Sequence, residues 1–234
     1  MGELGEQMPK CLIEYNGETI IQRNLKILNN CGIQDITIVV GYRREQIINH
    51  ININFPDKYI NYIVNLDYLK KENIYSVWVS RNSFNNDILM MDADLIFNTN
   101  VIKRIIRYKK KNFIVVRKET HEDEMIVLIK NRRIISLSNN QSINNLDFDY
   151  KAESVGIIRF SKYAAKEFID KIRLFVSHGD LNKYYEEAIN LLLEKFKFWV
   201  LELDKNSVVE EIDTMDDIER LKSYLNRSIN SSVF

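Results

Sequence analysis

The stretch Ile88-Leu89-Met90-Met91-Asp92-Ala93-Asp94 decides the fold class. A run of apolar residues that ends in acids is typical of a strand buried on both faces of a parallel sheet. The carboxyl ends of such strands form the edge at which open α/β sheets bind their ligands. We therefore predict an α/β fold in which Asp92 and Asp94 stand at a ligand-binding edge.

The segments on either side of this strand alternate between strand-like and helix-like patterns. Ile36–Val40 is rich in β-branched residues and ends at Gly41, which predicts a second strand buried on both faces. Apolar residues at helical spacing predict a helix between Gly17 and Gly32. Further strands are predicted at 59–64, 113–116, 125–129, 133–137, 154–160, 197–203 and 208–212, and further helices at 73–81, 101–111, 161–173, 181–194 and 214–225. This alternation predicts a single layered domain, residues 1–226, followed by a short tail, residues 227–234.

Composition and charge exclude several classes of protein. The 234 residues include 33 Lys+Arg and 33 Asp+Glu, and this balance argues against a nucleic-acid partner. Cys11 and Cys31 lack the spacing of a metal site, so we expect small buried thiols in a reducing cytosol. The sequence shows neither a signal peptide nor the roughly 20-residue apolar run that spans a bilayer, which predicts a cytoplasmic protein without a membrane partner.

A second acidic site lies near the end of the sequence. In Glu211-Ile212-Asp213-Thr214 a predicted strand runs into a predicted helix, so Asp213 is either a helix N-cap or a metal ligand. Together with Asp94, which could equally be a strand-end turn residue, it would suit Mg²⁺, a cation that takes few carboxylates and substrate phosphates. Lys10, which follows Pro9, is either an exposed loop charge or a group that neutralises a phosphate.

These motifs belong to an ordered set of segments that covers nearly the whole sequence. The set comprises residues 2–4, 9–17, 20–23, 33–42, 73–78, 92–94, 124–125, 153–157, 184–190 and 211–214. In this order it resembles nucleotidyltransferases that join an NTP to a phosphorylated sugar or alcohol, in particular their phosphocholine cytidylyltransferase-like branch. The resemblance implies a Rossmann-like three-layer α/β/α nucleotidyltransferase (GT-A-like) fold with a mixed, mostly parallel sheet.

The resemblance also implies a reaction and a set of site residues. The implied enzyme transfers CMP from CTP to a phosphorylated alcohol such as phosphocholine, releases pyrophosphate and uses Mg²⁺. The residues that match the family's functional positions are Lys10 as the catalytic phosphate contact, Asp94 and Asp213 as metal ligands, Lys10, Gly41 and Asp92 as nucleotide-binding residues, and Glu153, Glu186, Tyr184 and Tyr185 as acceptor-binding residues. Because the register of the Asp-x-Asp segment is ambiguous by two residues, Asp92 is an alternative to Asp94 as the first metal ligand. The implied partners are therefore CTP or another NTP and a small phosphorylated acceptor, and a homodimer is left open.

The sequence departs from the family at its N-terminus. The family pattern has an apolar strand and a Gly-rich loop directly before a Gly-Glu-Leu-like segment, whereas here Met1 precedes Gly2-Glu3-Leu4. We expect the missing strand to be central in the sheet, where each unpaired buried polar group costs about 1–3 kcal/mol. The expectation is a chain that is destabilised or inactive relative to a longer form.

Several alternatives stay open at the level of the sequence. A phosphocholine head group would need aromatic faces, for which Tyr184, Tyr185, Trp78 and Tyr150 are candidates, whereas phosphoethanolamine, 2-aminoethylphosphonate or a sugar 1-phosphate would use hydrogen bonds. Two other classes compete with this enzyme. One is an inactive homologue with a binding role, and the other is a GT-A glycosyltransferase, which shares the Asp-x-Asp pattern.

Overall fold

The computed structural model of the protein describes residues 8–120, 124–139 and 146–212. Its strands are β1 (Glu14–Tyr15), β2 (Glu18–Thr19), β3 (Ile36–Val40), β4 (Ile60–Val64), β5 (Ile88–Met91), β6 (Leu95–Phe97), β7 (Phe113–Arg117), β8 (Ile126–Lys130), β9 (Arg133–Ser138), β10 (Tyr150–Phe160), β11 (Trp199–Glu202) and β12 (Val209–Glu211). Its α-helices are α1 (Ile20–Asn30), α2 (Arg44–Asn54), α3 (Asn73–Val79), α4 (Thr99–Arg107), α5 (Lys162–His178) and α6 (Tyr185–Leu193). Short 3₁₀ helices cover Lys10–Leu12 and Arg81–Ser83. The predicted metal ligand Asp213, the predicted helix at 214–225 and the predicted tail lie outside the described residues.

The largest sheet is organised around the long strand β10. Its order is β5-β10-β7-β11-β9-β8, and β10 runs antiparallel to β5, β7 and β8. Only the β7–β11 pair of this sheet is parallel among the described residues. The predicted α/β class and the mixed sheet are therefore confirmed. The prediction of a mostly parallel sheet is not, because β10 runs against all three of its partners.

Strands β3 and β4 form a separate parallel pair connected by helix α2. A parallel connection of this kind needs a crossover, and the helix supplies it. The sequence analysis did not predict α2, and its apolar pattern is weak, with only Ile47 and Ile51 buried. The remaining pair of interest joins β6 to β12 in an antiparallel ladder, which brings the second acidic segment of the sequence to the first.

Local capping explains where the main helices begin and end. The hydroxyl of Thr19 accepts a hydrogen bond from the backbone N–H of Gln22 at the start of α1. Ser161 caps α5 in the same way, and this helix ends at Gly179 with a left-handed φ of 79°. Helix α4 ends at Arg107, so the predicted extension to residue 111 is wrong.

The core lies on both faces of β7, whose first four residues are completely buried. Ile114 and Val116 belong to a cluster with residues of α5 and α6. Phe113 and Val115, which alternate with them along the strand, belong to a second cluster with residues of α4. Helices thus pack on both faces of the sheet at this strand. Within the described part of the chain, no helix is long and apolar enough to cross a membrane.

Strands β3 and β5 are less buried than predicted. Every residue of β5 is partly exposed, and so are the first four residues of β3. The prediction that both strands are buried on both faces is therefore wrong. The physical reason is a cavity of about 1780 Å³, which all residues of both strands line.

Candidate active site

The same cavity contains every predicted site residue that the structure describes. These residues are Lys10, Gly41, Asp92, Asp94, Glu153, Tyr184, Tyr185 and Glu186. They come from the 3₁₀ helix near the start of the chain, the loop after β3, the residues that follow β5, strand β10 and the start of α6. The fold thus gathers residues that are more than 170 positions apart, as the distance from Lys10 to Glu186 along the chain shows.

Lys10 and Asp94 form the first element of the site. The Lys10 Nζ atom lies 3.6 Å from the Asp94 Oδ2 atom, and both side chains are mostly buried. Lys10 is held on a short 3₁₀ helix whose beginning is fixed by Pro9. Burial raises the pKa of the neighbouring Cys11 thiol to about 12, and the charge of Asp94 adds to this effect. Cys11 is therefore a neutral buried thiol, as predicted, and no nucleophile at neutral pH. Cys31 is only partly buried, so the prediction of burial is wrong for this residue.

The residues just before Asp213 also lie next to Asp94. Glu211 is paired with Leu95 in the β6–β12 ladder, and the backbone N–H of Ile212 donates to the carbonyl oxygen of Asp94 at 3.4 Å. The side chain of Ile212 is completely buried. The residue that precedes the predicted second metal ligand is thus hydrogen-bonded to the first one.

Asp92 occupies a different position from Asp94, although only one residue separates them. Its side chain is open to the cavity, yet it lies deep within the protein, and this burial raises its pKa well above the usual range. The charges of Asp94, Glu186 and Glu211 raise it further. Gly156 makes room for the carboxylate, since a Cβ atom at this position would lie 2.3 Å from the Asp92 Oδ2 atom.

Glu186 and Tyr185 line the cavity at the start of α6. Both side chains are buried, and burial raises the pKa of Glu186 to about 7. The Glu186 Oε2 atom has no hydrogen-bond partner among the described residues. The Asn73 side chain accepts a hydrogen bond of 2.9 Å from the backbone N–H of Tyr185, which fixes the first turn of the helix. Glu186 is thus a buried acid with one oxygen atom available to a ligand.

Glu153 is buried as well, but it faces a cation. The Arg117 Nε atom lies 3.2 Å from the Glu153 Oε1 atom, at ion-pair distance, although the geometry is not that of a hydrogen bond. Arg117 also contacts the Glu210 carboxylate at 3.1 Å and donates to the carbonyl oxygen of Val209 at 2.8 Å. Arg117 therefore ties β7 to β12 beside the cavity.

The cavity as a whole is strongly acidic. Of the described residues that line it, ten are Asp or Glu and three are Lys or Arg. The described residues contain no group of three or more His, Cys, Asp or Glu side chains that could hold a metal ion. The donor set nevertheless fits a hard cation such as Mg²⁺, because Asp94 offers a carboxylate oxygen among acids that raise the pKa of Asp92.

Of the four aromatic residues that were candidates for binding a phosphocholine head group, two line the cavity and two do not. Tyr184 and Tyr185 line the cavity. Trp78 packs against the hydrophobic core, with the Arg81 guanidinium 4.5 Å from its ring, and Tyr150 donates a hydrogen bond to Glu202.

The cavity-lining residues that sequence reasoning missed are Arg117, Asn73 and Glu211. Asn73 and Glu211 lie in the segments that carry the resemblance, but Arg117 gave no signal, because an Arg at a strand end has no distinctive pattern.

Comparisons with known proteins found relatives that match nearly the whole chain. The chain is 25% identical to a CTP:phosphoglutamine cytidylyltransferase of Campylobacter jejuni, with 92% of each chain covered. It is also 25% identical to a choline-phosphate cytidylyltransferase of Haemophilus influenzae, over 94% of this chain and 89% of that one. A solved CTP:phosphocholine cytidylyltransferase from Streptococcus pneumoniae superposes with a TM-score of 0.77 at 21% identity, covering 96% and 93% of the two chains. No model of a known protein family matches the chain.

The fold is that of an α/β protein in which the ends of several strands border an acidic cavity. The relatives that cover nearly the whole of this chain are cytidylyltransferases, and this protein is an enzyme of the nucleotidyltransferase type. The resemblance that the sequence motifs indicated is thereby confirmed.

Proposed function

We propose that this protein transfers a cytidylyl group from CTP to a small phosphorylated acceptor that carries a positive charge, such as phosphocholine, and releases pyrophosphate. The observation that carries this proposal is the meeting of Lys10, Asp94 and the strand that leads to Asp213 at one end of the cavity. The relatives named for CTP support the choice of nucleotide.

The proposed reaction requires charge neutralisation more than covalent chemistry. A phosphate oxygen of the acceptor attacks the α-phosphorus of CTP, and the bond from this phosphorus to the bridging oxygen breaks as pyrophosphate leaves. Lys10, whose ammonium group stands beside Asp94, is the group that would bind a phosphate oxygen. Asp94 and Asp213 are the residues that would hold Mg²⁺, and the ion would supply further positive charge to the phosphates.

The acidity of the cavity supports a cationic acceptor. Glu186 is buried and keeps one carboxylate oxygen without a partner among the described residues, so an ammonium or amino group would compensate a charge that is costly there. Tyr184, which is exposed at the cavity, and the neighbouring Tyr185 offer aromatic rings to such a group. A sugar 1-phosphate, whose sugar carries no positive charge, would leave the negative charge of Glu186 unbalanced, which is why we rank it second.

A pyrophosphate-release assay with CTP, phosphocholine and Mg²⁺ tests the proposal. Asp94→Asn and Lys10→Met are each expected to lower kcat by about 10²–10³-fold, the loss typical of removing one group that stabilises transition-state charge. Asp57→Asn and Lys103→Met are matched controls, since both side chains are exposed, and they should leave the rate unchanged.

The same assay decides between the competing functions. Pyrophosphate release with glucose 1-phosphate but not with phosphocholine would replace the cationic acceptor by a sugar phosphate. Hydrolysis of a UDP- or GDP-sugar without pyrophosphate release would indicate a glycosyltransferase. Equal rates for the wild-type protein and Asp94→Asn would remove the proposed metal role of Asp94.

A further inference from the structure

Asn24 is a buried polar residue on the apolar face of helix α1. It follows Ile20 by one turn, so the two side chains lie on the same face of the helix. Ile20 packs in a small core cluster with Ile96 of β6 and with Ile212. The Asn24 side chain is 5% exposed, and it lines the cavity, as Asp94 does. A polar side chain therefore lies where α1 packs against β6.

The amide group of Asn24 is hydrogen-bonded to the residue that follows Asp94. The Asn24 Nδ2 atom donates to the carbonyl oxygen of Leu95 at 2.6 Å. The carbonyl oxygen of Asp94 accepts from the backbone N–H of Ile212 on the β12 side. Successive carbonyl groups of a strand point to opposite sides, so the two hydrogen bonds hold the backbone of Asp94 and Leu95 from two directions.

Helix α1 is also connected to the 3₁₀ helix that carries Lys10. The backbone N–H of Ile20 donates to the carbonyl oxygen of Ile13 at 3.0 Å, and the N–H of Ile13 donates to the carbonyl oxygen of Lys10 at 3.0 Å. The side chain of Ile13 is buried in the same cluster as Ile20. Both members of the Lys10–Asp94 pair are thus supported by the first two turns of α1.

A second asparagine shows how an amide behaves when its role is structural. Asn190 of α6 donates from its Nδ2 atom to the carbonyl oxygen of Leu137 in β9 and accepts at its Oδ1 atom from the N–H of the same residue, both at 2.8 Å. The Asn24 Oδ1 atom is buried and has no hydrogen-bond partner among the described residues. An unpaired buried acceptor costs stability, so Asn24 is a poorer choice for stability than Asn190.

We propose that Asn24 is a positioning residue for Asp94. Its hydrogen bond to the Leu95 carbonyl fixes the backbone from which the Asp94 carboxylate projects, and it thereby sets the affinity of the site for a divalent cation. This inference rests on the proposed function, in which Asp94 holds Mg²⁺. Residues that orient a metal ligand typically change the affinity for the metal 10–100-fold when they are replaced.

Titration with Mn²⁺, followed by the electron paramagnetic resonance signal of the free ion, tests this proposal. Asn24→Leu keeps the approximate volume of the side chain and removes its donor, and it should weaken Mn²⁺ binding at least tenfold. Asn190→Leu is the matched control, since the same substitution removes hydrogen bonds between a helix and a strand away from Asp94. It should leave Mn²⁺ binding unchanged.

Stability should respond in the opposite order. Asn190→Leu leaves both the N–H and the carbonyl group of Leu137 without their partner, so its melting temperature should fall further than that of Asn24→Leu. Asn24→Ala is a second variant, which removes the same donor without adding apolar volume, and it should weaken Mn²⁺ binding as much as Asn24→Leu does. In the pyrophosphate assay, the Mg²⁺ concentration at half-maximal rate should rise about tenfold for both Asn24 variants.

The outcomes separate this proposal from the proposed function. Unchanged Mn²⁺ affinity in the Asn24 variants, or equal weakening in Asn190→Leu, would overturn the positioning role. A wild-type protein that binds Mn²⁺ through Asp94 but releases no pyrophosphate would contradict the proposed reaction and leave the role of Asn24 intact. Absence of Mn²⁺ binding, or binding that Asp94→Asn does not weaken, would overturn both.

Discussion

Strands β7 and β3 are alike in sequence and unlike in surroundings. Each has five residues, rich in Ile and Val. β7 lies between β10 and β11 and has four completely buried residues. Among the described residues β3 pairs with β4 alone, and it has one buried residue, Val40. The difference teaches that apolar composition predicts a strand, but that the burial of its side chains depends on what the tertiary structure packs around it.

Truncating one isoleucine in each strand gives the largest expected contrast. Ile114→Ala, at a completely buried position of β7, should lower the free energy of unfolding by about 4 kcal/mol, because it opens a void that the rigid core cannot fill. Ile38→Ala in β3 should lower it by only about 1 kcal/mol, because this side chain already borders the cavity. Urea unfolding followed by circular dichroism measures both values.

The two variants act as controls for each other, since the chemical change is the same. Losses of equal size would mean that β3 is as well packed in solution as β7 and would break the comparison. A loss for Ile38→Ala well below that for Ile114→Ala would sharpen it.

The buried acid Glu186, which lines the cavity that β3 also borders, gives a second test through its charge. Burial raises its pKa in the folded protein from the usual 4.5 to about 7, with Asp92 and Tyr185 as ionisable neighbours. The folded state therefore holds a proton that the unfolded chain releases at lower pH. Stability should fall as the pH rises from about 4.5 to about 7, by an amount on the order of 3 kcal/mol.

Glu186→Gln should remove this part of the pH dependence, because glutamine does not ionise. The variant should gain stability relative to the wild-type protein at pH 8 and should match it most closely near pH 4. Glu187→Gln is the matched control, since Glu187 is exposed and paired with Lys183 at 3.3 Å, and it should leave the profile nearly unchanged. Parallel profiles for Glu186→Gln and the wild-type protein, from thermal unfolding between pH 4 and pH 8, would contradict the assignment.

A pair of glycines tests the crowding around Asp92. Gly156 and Gly179 both have left-handed φ angles, 69° and 79°, but only the first lies against a side chain, the Asp92 carboxylate. Each substitution by Ala should cost about 1–2 kcal/mol for the backbone conformation. Gly156→Ala should cost about 2 kcal/mol more, because its Cβ atom would collide with Asp92.

The activity readout separates crowding from ordinary destabilisation. Gly156→Ala should lower the rate of pyrophosphate release at a temperature where it is still folded, whereas Gly179→Ala should not. Equal effects of the two substitutions on stability and on rate would show that Asp92 moves aside without consequence.

Much of the architecture could be predicted from local patterns. The strands at Ile36–Val40 and Ile88–Met91 follow from runs of apolar residues, and helix α1 follows from helical spacing between Gly17 and Gly32. The hairpin turn between β8 and β9 was also predictable, and both of its residues, Asn131 and Arg132, have positive φ angles. Helix α2 was missed because its apolar face is weak.

The candidate site was predicted in part. The acids after β5 gave a signal because a buried strand ended in them, and Lys10 gave one through its resemblance to a family motif. The contact of Arg117 with Glu153 and Glu210 could not be predicted, since it joins three separate strands. The role of Asp213 stays a prediction, supported by the hydrogen bond of its neighbour Ile212 to Asp94.

The sequence by itself determined most of the longer strands and helices, and it determined that acids follow β5 and β12, because these properties depend on residues close together in the chain. Only the tertiary structure decided that β10 runs antiparallel through the main sheet, that Glu186 faces Asp92, and that β3 and β5 border one cavity. The physical reason is that strand pairing and burial are set by contacts between distant segments, which a local pattern permits but does not choose.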